Sequence, residues 1–93
     1  MRTIGAVGRF KRDYRRAKAG AHGEKLDDLL GEAIAMRAAD EPLPPRFHDH
    51  ALAGRWKDFR DCHVRPDLVL IYRKPDGKTL ELVRLDSHSE LGF

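Results

Sequence analysis

The fold is decided by HVRPDLVLIYRKPDGKTLELVRL, which spans His63 to Leu85. Its centre, Leu68 to Tyr72, is a continuous apolar run, typical of a strand that is covered on both faces. The turn Arg65-Pro66-Asp67 precedes this run, and the hairpin turn Pro75-Asp76-Gly77 follows it. The segment therefore predicts neighbouring antiparallel strands with a fully buried strand between them.

Three strands are predicted around this centre. The first runs from Trp56 to Val64, the apolar run is the second, and the third spans Thr79 to Leu85. Because the connections are short, the strands form an antiparallel meander. Trp56 and Phe59 are expected to anchor the first strand.

The residues before the meander predict one strand and two helices. Thr3 to Val7 is a short β-leaning segment, and helical periodicity extends from Gly8 to Ala19 and from Glu24 to Ala39. The expected fold class is α+β, with an N-terminal strand and a helical hairpin packed on one face of an antiparallel sheet. Residues 1–93 are expected to form a single domain whose other sheet face is free to carry function.

Charge is distributed unevenly along the chain. Residues 1–25 contain eight Lys or Arg and two Asp or Glu, a local charge of +6, residues 26–41 carry −4, and the remainder carries +1, which gives the net +3. The first helix is aromatic on the side of Phe10 and Tyr14 and cationic elsewhere. This pattern favours a polyanionic or acidic partner about as well as an ordinary solvated helix face.

Cysteine usage and hydropathy exclude several classes of protein. The only cysteine, Cys62, allows no internal disulfide and no CxxC site, which favours the cytoplasm. No apolar run approaches the length that spans a bilayer, so no membrane partner is expected.

Titratable residues lie at the strand ends of the predicted meander. His50 precedes it, His63 ends its first strand, and Asp67 opens the second, while Arg84 and His88 lie at the end of the third. In an antiparallel meander the end of one strand adjoins the start of the next, so His63 and Asp67 are neighbours. Strand order decides whether the others join them.

If these residues converge, they suit cleavage of RNA through the ribose 2′-hydroxyl. Two histidines can act as base and acid, and a carboxylate can orient one of them. An arginine can hold the phosphate with two hydrogen bonds. No metal is required for this chemistry.

Each residue also has a structural interpretation. A histidine at a strand end is more often structural or solvated than catalytic, and Asp67 is an ordinary residue for a turn. Arg84 could pair with Asp61 or Asp86 across the sheet. The aromatic residues are more commonly core than base-stacking platforms.

A zinc site is a further alternative. His48-x-His50 and His63 offer three nitrogens, but no tight four-ligand signature accompanies them, and Cys62 points away from His63 on a strand. We therefore predict no metal and no cofactor.

Two segments carry a long motif: DHALAGRWKDFRDCHVRPDLVLIYR at 49–73 and LVRLDSHSELGF at 82–93. The first contains D-H-x-L-x-G-x-W-K-x-[FY]-R-[DE]-x-H-[VI]-x-P-D. These segments resemble the YafQ branch of the RelE/ParE superfamily, the toxin halves of type II toxin–antitoxin pairs. The likeness is dense from about Leu43 onward, and the first forty residues match only in layout.

The resemblance implies a ribosome-dependent endoribonuclease that cuts mRNA in the ribosomal A site and stops translation. It implies a cognate antitoxin as partner, with operator DNA bound only through the toxin–antitoxin complex. The basic first helix would then contact ribosomal RNA.

The same resemblance assigns roles to individual residues. By position, His50, His63, Asp67 and His88 match the catalytic set, and Arg84 matches the arginine that holds the scissile phosphate. Further candidates for substrate or phosphate binding are Lys57, Arg60 and the C-terminal Phe93.

Three positions depart from the family pattern or fall outside it. Gly92 is inserted before Phe93, and Asp86 stands where glycine is common, close enough to Arg84 to compete with phosphate. His48 is not in the usual set and is interpreted as a bystander. A non-enzymatic member is the alternative function, either one acting on DNA gyrase or a degenerate toxin kept as a repressor-complex partner.

Overall fold

The computed structural model of the chain describes residues 1–20 and 23–91. Its helices and strands, in chain order, are β1 Thr3–Ala6, α1 Gly8–Ala19, α2 Leu26–Ala38, β2 His50–Ala51, β3 Arg60–Arg65, β4 Leu68–Arg73, β5 Thr79–Asp86 and α3 His88–Leu91. Short 3-10 turns at Pro45–Phe47 and Gly54–Trp56 flank β2. The predicted α+β class is confirmed.

The five strands form one sheet in the order β1-β5-β4-β3-β2. The meander β3-β4-β5 is antiparallel, as predicted, and β2 adds an antiparallel edge. The predicted antiparallel pairing does not extend to the N-terminal strand. β1 pairs with β5 in parallel, with Ile4 opposite Leu80. The sheet is therefore mixed, with one parallel pair at the β1 edge and antiparallel pairs elsewhere.

Both helices pack on one face of the sheet. Apolar side chains from α1, α2 and the meander form the main core, among them Phe10, Leu30, Cys62, Leu70 and Leu85. The burial of Cys62 raises the pKa of its thiol to about 12. The expected orientation of this cysteine, away from the face that carries His63, is confirmed.

The other sheet face is partly covered rather than free. Val69 and Ile71 of β4 and Leu91 of α3 form a second small core there. Trp56 and Phe59 pack against it with their rings 5.3 Å apart, edge to face. They were expected to anchor the first strand itself, but they lie in the segment before β3 and hold that segment against the sheet. β4 is buried on both faces.

The first meander strand begins at Arg60, so the predicted start at Trp56 was wrong. Gly54 has a φ of +65° and is the first residue of the turn Gly54–Trp56. A positive φ suits glycine and ends an extended segment. The turn chemistry therefore prevailed over the β-like composition of residues 56–59.

No helix within the described residues is long and apolar enough to cross a membrane.

Candidate functional site

The strand register aligns three polar residues and one apolar residue in a row across the sheet. His50 lies opposite Asp61, Asp61 opposite Ile71, and Ile71 opposite Arg84. Residues directly opposite in antiparallel strands project to the same face. Because Ile71 belongs to the second core, this row lies on the face turned away from α1 and α2.

A second row lies beside the first and ends at the candidate histidines. His63 is opposite Val69, and Val69 is opposite Asp86, the last residue of β5. His88 begins α3 two residues later. The register therefore places His63 and the start of α3 at the same end of the meander. Asp67 occupies the turn between β3 and β4, next to the start of β4.

Three imidazole rings meet at this end of the meander. The rings of His63 and His88 are 4.8 Å apart, and those of His48 and His63 are 5.2 Å apart. Burial, assisted by the charge of His88, lowers the pKa of His63. This shift favours the neutral ring of His63, which is the form that can accept a proton. His48, interpreted as a bystander in sequence, lies within this group of rings.

Asp61 lies beneath the histidines and was not predicted as a site residue. Its side chain is almost completely buried, and no hydrogen-bond partner reaches either carboxylate oxygen within the described part of the chain. His50 Nδ1 is 3.1 Å from Asp61 Oδ1 and also 2.7 Å from the carbonyl oxygen of His48. Burial raises the pKa of Asp61, and positive charge on His50, His63 or His88 opposes that rise.

Changing Asp61 to Asn is expected to slow RNA cleavage by about tenfold without destabilising the fold. The lost carboxylate would no longer stabilise a protonated imidazole. A loss of about 1.4 kcal/mol of that stabilisation corresponds to a tenfold change in rate. Stability should hold or rise at neutral pH, because the folded-state pKa of Asp61 is raised and its ionised form opposes folding. Cleavage rates and chemical denaturation measure the two effects.

Asp58→Asn is the matched control, since Asp58 is exposed in the turn before β3. If Asp61→Asn left cleavage unchanged and weakened the fold, Asp61 would be a structural residue only.

Arg84 is anchored by a carboxylate from the other layer. Its Nε donates to Asp13 Oδ2 at 2.7 Å, and the same oxygen accepts the backbone N–H of Leu85 at 3.0 Å. Asp13 is 1% exposed and Arg84 14% exposed in their side chains. Since β1 ends opposite Leu82, Asp13 also caps the part of the β5 edge that β1 does not cover.

Asp86 joins the same ionic network. Arg16 contacts both Asp86, at 2.6 Å, and Asp13, at 3.0 Å, while the Nη2 of Arg84 is 3.6 Å from Asp86. The proximity of Asp86 to Arg84 expected from sequence is therefore observed, although the shorter ion pair of Asp86 is with Arg16.

Of the remaining predicted substrate-binding residues, Arg60 and Lys57 do not join the histidines. Arg60 is opposite Tyr72 on the helix-facing side of the sheet, and its guanidinium donates to Asp49 at 2.9 Å. Lys57 is exposed in the turn before β3. Phe93 lies outside the described residues, so its role stays a prediction.

The described residues, 1–20 and 23–91, contain no group of three or more His, Cys, Asp or Glu side chains with a geometry that could hold a metal ion. The rings of His48 and His63 are tilted by 57°, and those of His63 and His88 meet edge to face at 72°.

Sequence patterns carried most of this site but not all of it. The strand-end histidines were visible because each follows or precedes a turn. Asp13 was missed, although it sits three residues after Phe10 on the apolar stripe of α1, a position where a carboxylate is unusual. Asp61 had a similar signal, because it lies two residues before His63 and shares its face.

Comparison with known proteins identifies the family of the chain. Residues 2–92 match the family described as bacterial toxin of type II toxin-antitoxin system, YafQ. The mRNA interferase toxin YafQ of Escherichia coli K12 is 48% identical over 92 residues, covering 98% of this chain and 96% of that protein.

Two solved structures share the whole fold. A copper-bound mutant toxin from Helicobacter pylori is 40% identical with a TM-score of 0.86, covering 98% of this chain and 99% of that one. YafQ in the E. coli DinJ-YafQ complex is 32% identical with a TM-score of 0.83 and full coverage of both chains. The family match and the full-length relative together confirm the resemblance found in the sequence, and the chain belongs to the YafQ family of type II toxin–antitoxin toxins.

Proposed function

We propose that the chain is an mRNA interferase, an endoribonuclease toxin that stops translation by cutting mRNA in the ribosomal A site. The observation that carries this proposal is the group of imidazole rings centred on His63, placed over the buried carboxylate of Asp61. Membership of the YafQ family supports the same activity, because the E. coli relative is named an mRNA interferase toxin.

His63 is proposed as the general base. Its lowered pKa keeps the ring neutral at physiological pH, so that it can take the proton of the ribose 2′-hydroxyl. The oxygen then attacks the adjacent phosphorus, and the bond to the 5′-oxygen of the next nucleotide breaks.

His88 is proposed as the general acid that protonates the departing 5′-oxygen. Its ring is 4.8 Å from that of His63, edge to face, so both histidines can reach one phosphodiester from neighbouring positions. Asp67 is proposed to orient His88 from the β3–β4 turn. His50 is proposed to form an ion pair with Asp61, whose Oδ1 is 3.1 Å from His50 Nδ1. The chemistry needs no metal and no cofactor.

Arg84 is proposed to stabilise the charge that gathers on the phosphate during the reaction. Its Nε is fixed by Asp13, which leaves the terminal nitrogens of the guanidinium for the substrate. Asp86 lies near one of them, so Arg84 would have to exchange this weak 3.6 Å contact for the phosphate.

The cationic side of α1 is proposed to bind ribosomal RNA. Several of its basic residues are exposed: Arg9, Lys11, Arg12, Arg15, Arg16 and Lys18. Contacts of this kind depend strongly on salt because binding releases counterions from the RNA.

A cognate antitoxin is the proposed protein partner, since a structural relative is a toxin in complex with DinJ. Operator DNA would be bound only through that complex. The proposed place of action is the bacterial cytoplasm, where translating ribosomes and mRNA are available.

Mapping of mRNA 5′ ends after induced expression tests the proposed function. Cuts are expected in phase with codons and only on translated messages, because the ribosome presents the substrate. A matched message whose start codon is removed should remain intact.

Two controls separate the alternatives. Toxin that is treated with a chelator and then dialysed should still cleave translated mRNA in a reconstituted translation reaction, a needed control because the H. pylori relative is copper-bound. Growth arrest without any mRNA cleavage would contradict the proposal and favour a toxin that acts by binding a protein such as gyrase.

A further inference from the structure

A groove opens beside the candidate histidines at the end of β3. It has a volume of about 560 Å³, and His48 and His63 form the end of it that adjoins the ring group. Leu29 of α2, Val64 and Pro66 supply apolar walls. The proposed chemistry accounts for His63 but leaves the rest of the groove without a use.

The shape of this groove follows from an irregularity in β3. The pairing between β3 and β4 shifts between His63 and Arg65, so Val64 is an extra residue on that strand. Such a bulge bends a strand and changes the direction of neighbouring side chains. The apolar wall and the imidazole of His63 therefore meet at one place, although residues 63 and 64 belong to opposite faces.

The position of His48 is held by its backbone. Its φ of 47° and ψ of 41° lie in the left-handed region, and its N–H donates to the carbonyl oxygen of Pro45 at 3.0 Å. A residue other than glycine is uncommon in this conformation and is retained where surrounding structure fixes it. The result is an exposed imidazole at the inner end of the groove, 5.2 Å from His63.

The charged residues that line the groove are all basic. Arg46 and Arg65 lie along it, and no carboxylate belongs to its lining within the described chain. Arg46 is also stacked over Phe47 at 4.8 Å and paired with Glu32, outside the lining, at 2.5 Å. Both members of that pair are exposed, so phosphate can compete for the arginine.

These properties fit one nucleoside of an RNA chain. The volume is within the range of small-ligand sites, the apolar walls and the imidazole offer surfaces for a base, and the arginines complement phosphate. The groove is also continuous with the proposed cleavage site, since His63 belongs to both.

We propose that this groove binds the nucleoside next to the cleaved phosphate and that His48 contributes to recognition of its base. This inference rests on the proposed RNA cleavage and adds a substrate subsite to it. His48 is a specificity residue here, separate from the proton transfers assigned to His63 and His88.

Filling the groove tests the proposal. Leu29→Trp is expected to lower cleavage by about tenfold, the effect of losing one stacked base. His48→Ala is expected to change the base preference at one position next to the cut, measured on messages randomised around the site in a reconstituted translation reaction. Ala35→Trp, at an exposed position on the same helix, is the matched control.

A binding measurement separates failure of this inference from failure of the proposed function. A 2′-O-methyl trinucleotide, which cannot be cleaved, should shift the backbone amide resonances of His48 and Val64 in the wild-type protein. Groove shifts in a protein that cuts no mRNA would overturn the proposed function but retain a nucleotide site.

Two results would overturn the inference. One is wild-type rate and base preference in both Leu29→Trp and His48→Ala, with no trinucleotide shifts in the groove. The other is a Leu29→Trp protein that cuts mRNA normally but no longer binds its antitoxin, which would make the groove a protein-docking surface. If Leu29→Trp fails to fold, His48→Ala and the trinucleotide shifts decide the question.

Discussion

Replacing His63 with glutamine is expected to reduce the rate of mRNA cleavage by about 10²–10⁴-fold, the contribution typical of a general base. Glutamine keeps a polar side chain of similar reach but cannot take a proton near neutral pH. Growth arrest on induced expression should disappear with it. His88→Gln should lose activity to a similar degree, because the two rings are neighbours in one proposed proton-transfer pair.

The pH dependence of cleavage identifies the role of His63 more sharply than the loss of rate. Burial and His88 lower its pKa from the usual 6.5, so the base is active above the lowered value. The wild-type rate should therefore fall only as the pH drops through a value below 6.5, and His63→Gln should lack this acid limb.

The pH dependence of the free energy of unfolding is an independent check on the lowered pKa of His63. Because the folded-state pKa of His63 is depressed, the unfolded chain binds its proton more readily. Stability from this residue is complete above about pH 6.5 and is lost as the pH falls through the folded-state pKa.

A His63→Gln protein that cut mRNA at the wild-type rate would remove His63 from the mechanism.

The local pattern of the sequence was sufficient for the meander but not for the sheet edges. Turns at Pro66 and Pro75 and the run from Leu68 to Tyr72 fix β4 and its antiparallel neighbours through contacts close in sequence. By contrast, β1 pairs with β5, from which it is separated by more than seventy residues, and β2 is only two residues long. Neither feature leaves a periodic signal in the chain.

The sequence predicted those site residues whose side-chain type alone indicates acid–base chemistry. His50, His63, Asp67 and His88 stood out as titratable groups at strand ends. The structure brings His63 next to His88 and His50 next to Asp61, and the place of Asp67 in the site stays a prediction. Asp61 did not stand out, because an acidic residue in a strand ordinarily pairs with a basic neighbour or faces solvent. Its burial under histidines is a tertiary property.

Asp13 is the clearest case of a residue whose importance depends on tertiary structure. Its partners Arg84 and Leu85 lie more than seventy positions along the chain. On a helix, sequence alone treats it as one charge among many. In the fold it joins α1 to the last strand of the meander and fixes the arginine proposed to hold the phosphate.

Asp13→Ala is therefore expected to destabilise the protein by about 3–5 kcal/mol, the cost of removing one partner from a buried ion pair. The change leaves the mostly buried guanidinium of Arg84 without its nearest carboxylate and the N–H of Leu85 without its acceptor. Denaturant unfolding measures the loss. Asp13→Asn should lose less, because its amide oxygen can still accept the Leu85 hydrogen bond.

Asp27→Ala is the matched control, since this carboxylate also accepts hydrogen bonds from two side chains, those of Tyr14 and Lys18, but is exposed. Solvent screens that network, so its loss should change stability little. If Asp13 positions Arg84, cleavage by folded Asp13→Asn should also fall, and Arg84→Ala should add little further loss in that background. Additive losses would show that Asp13 stabilises the fold without serving Arg84, whereas coupled losses would make one buried carboxylate the link between the helical layer and the phosphate-binding arginine.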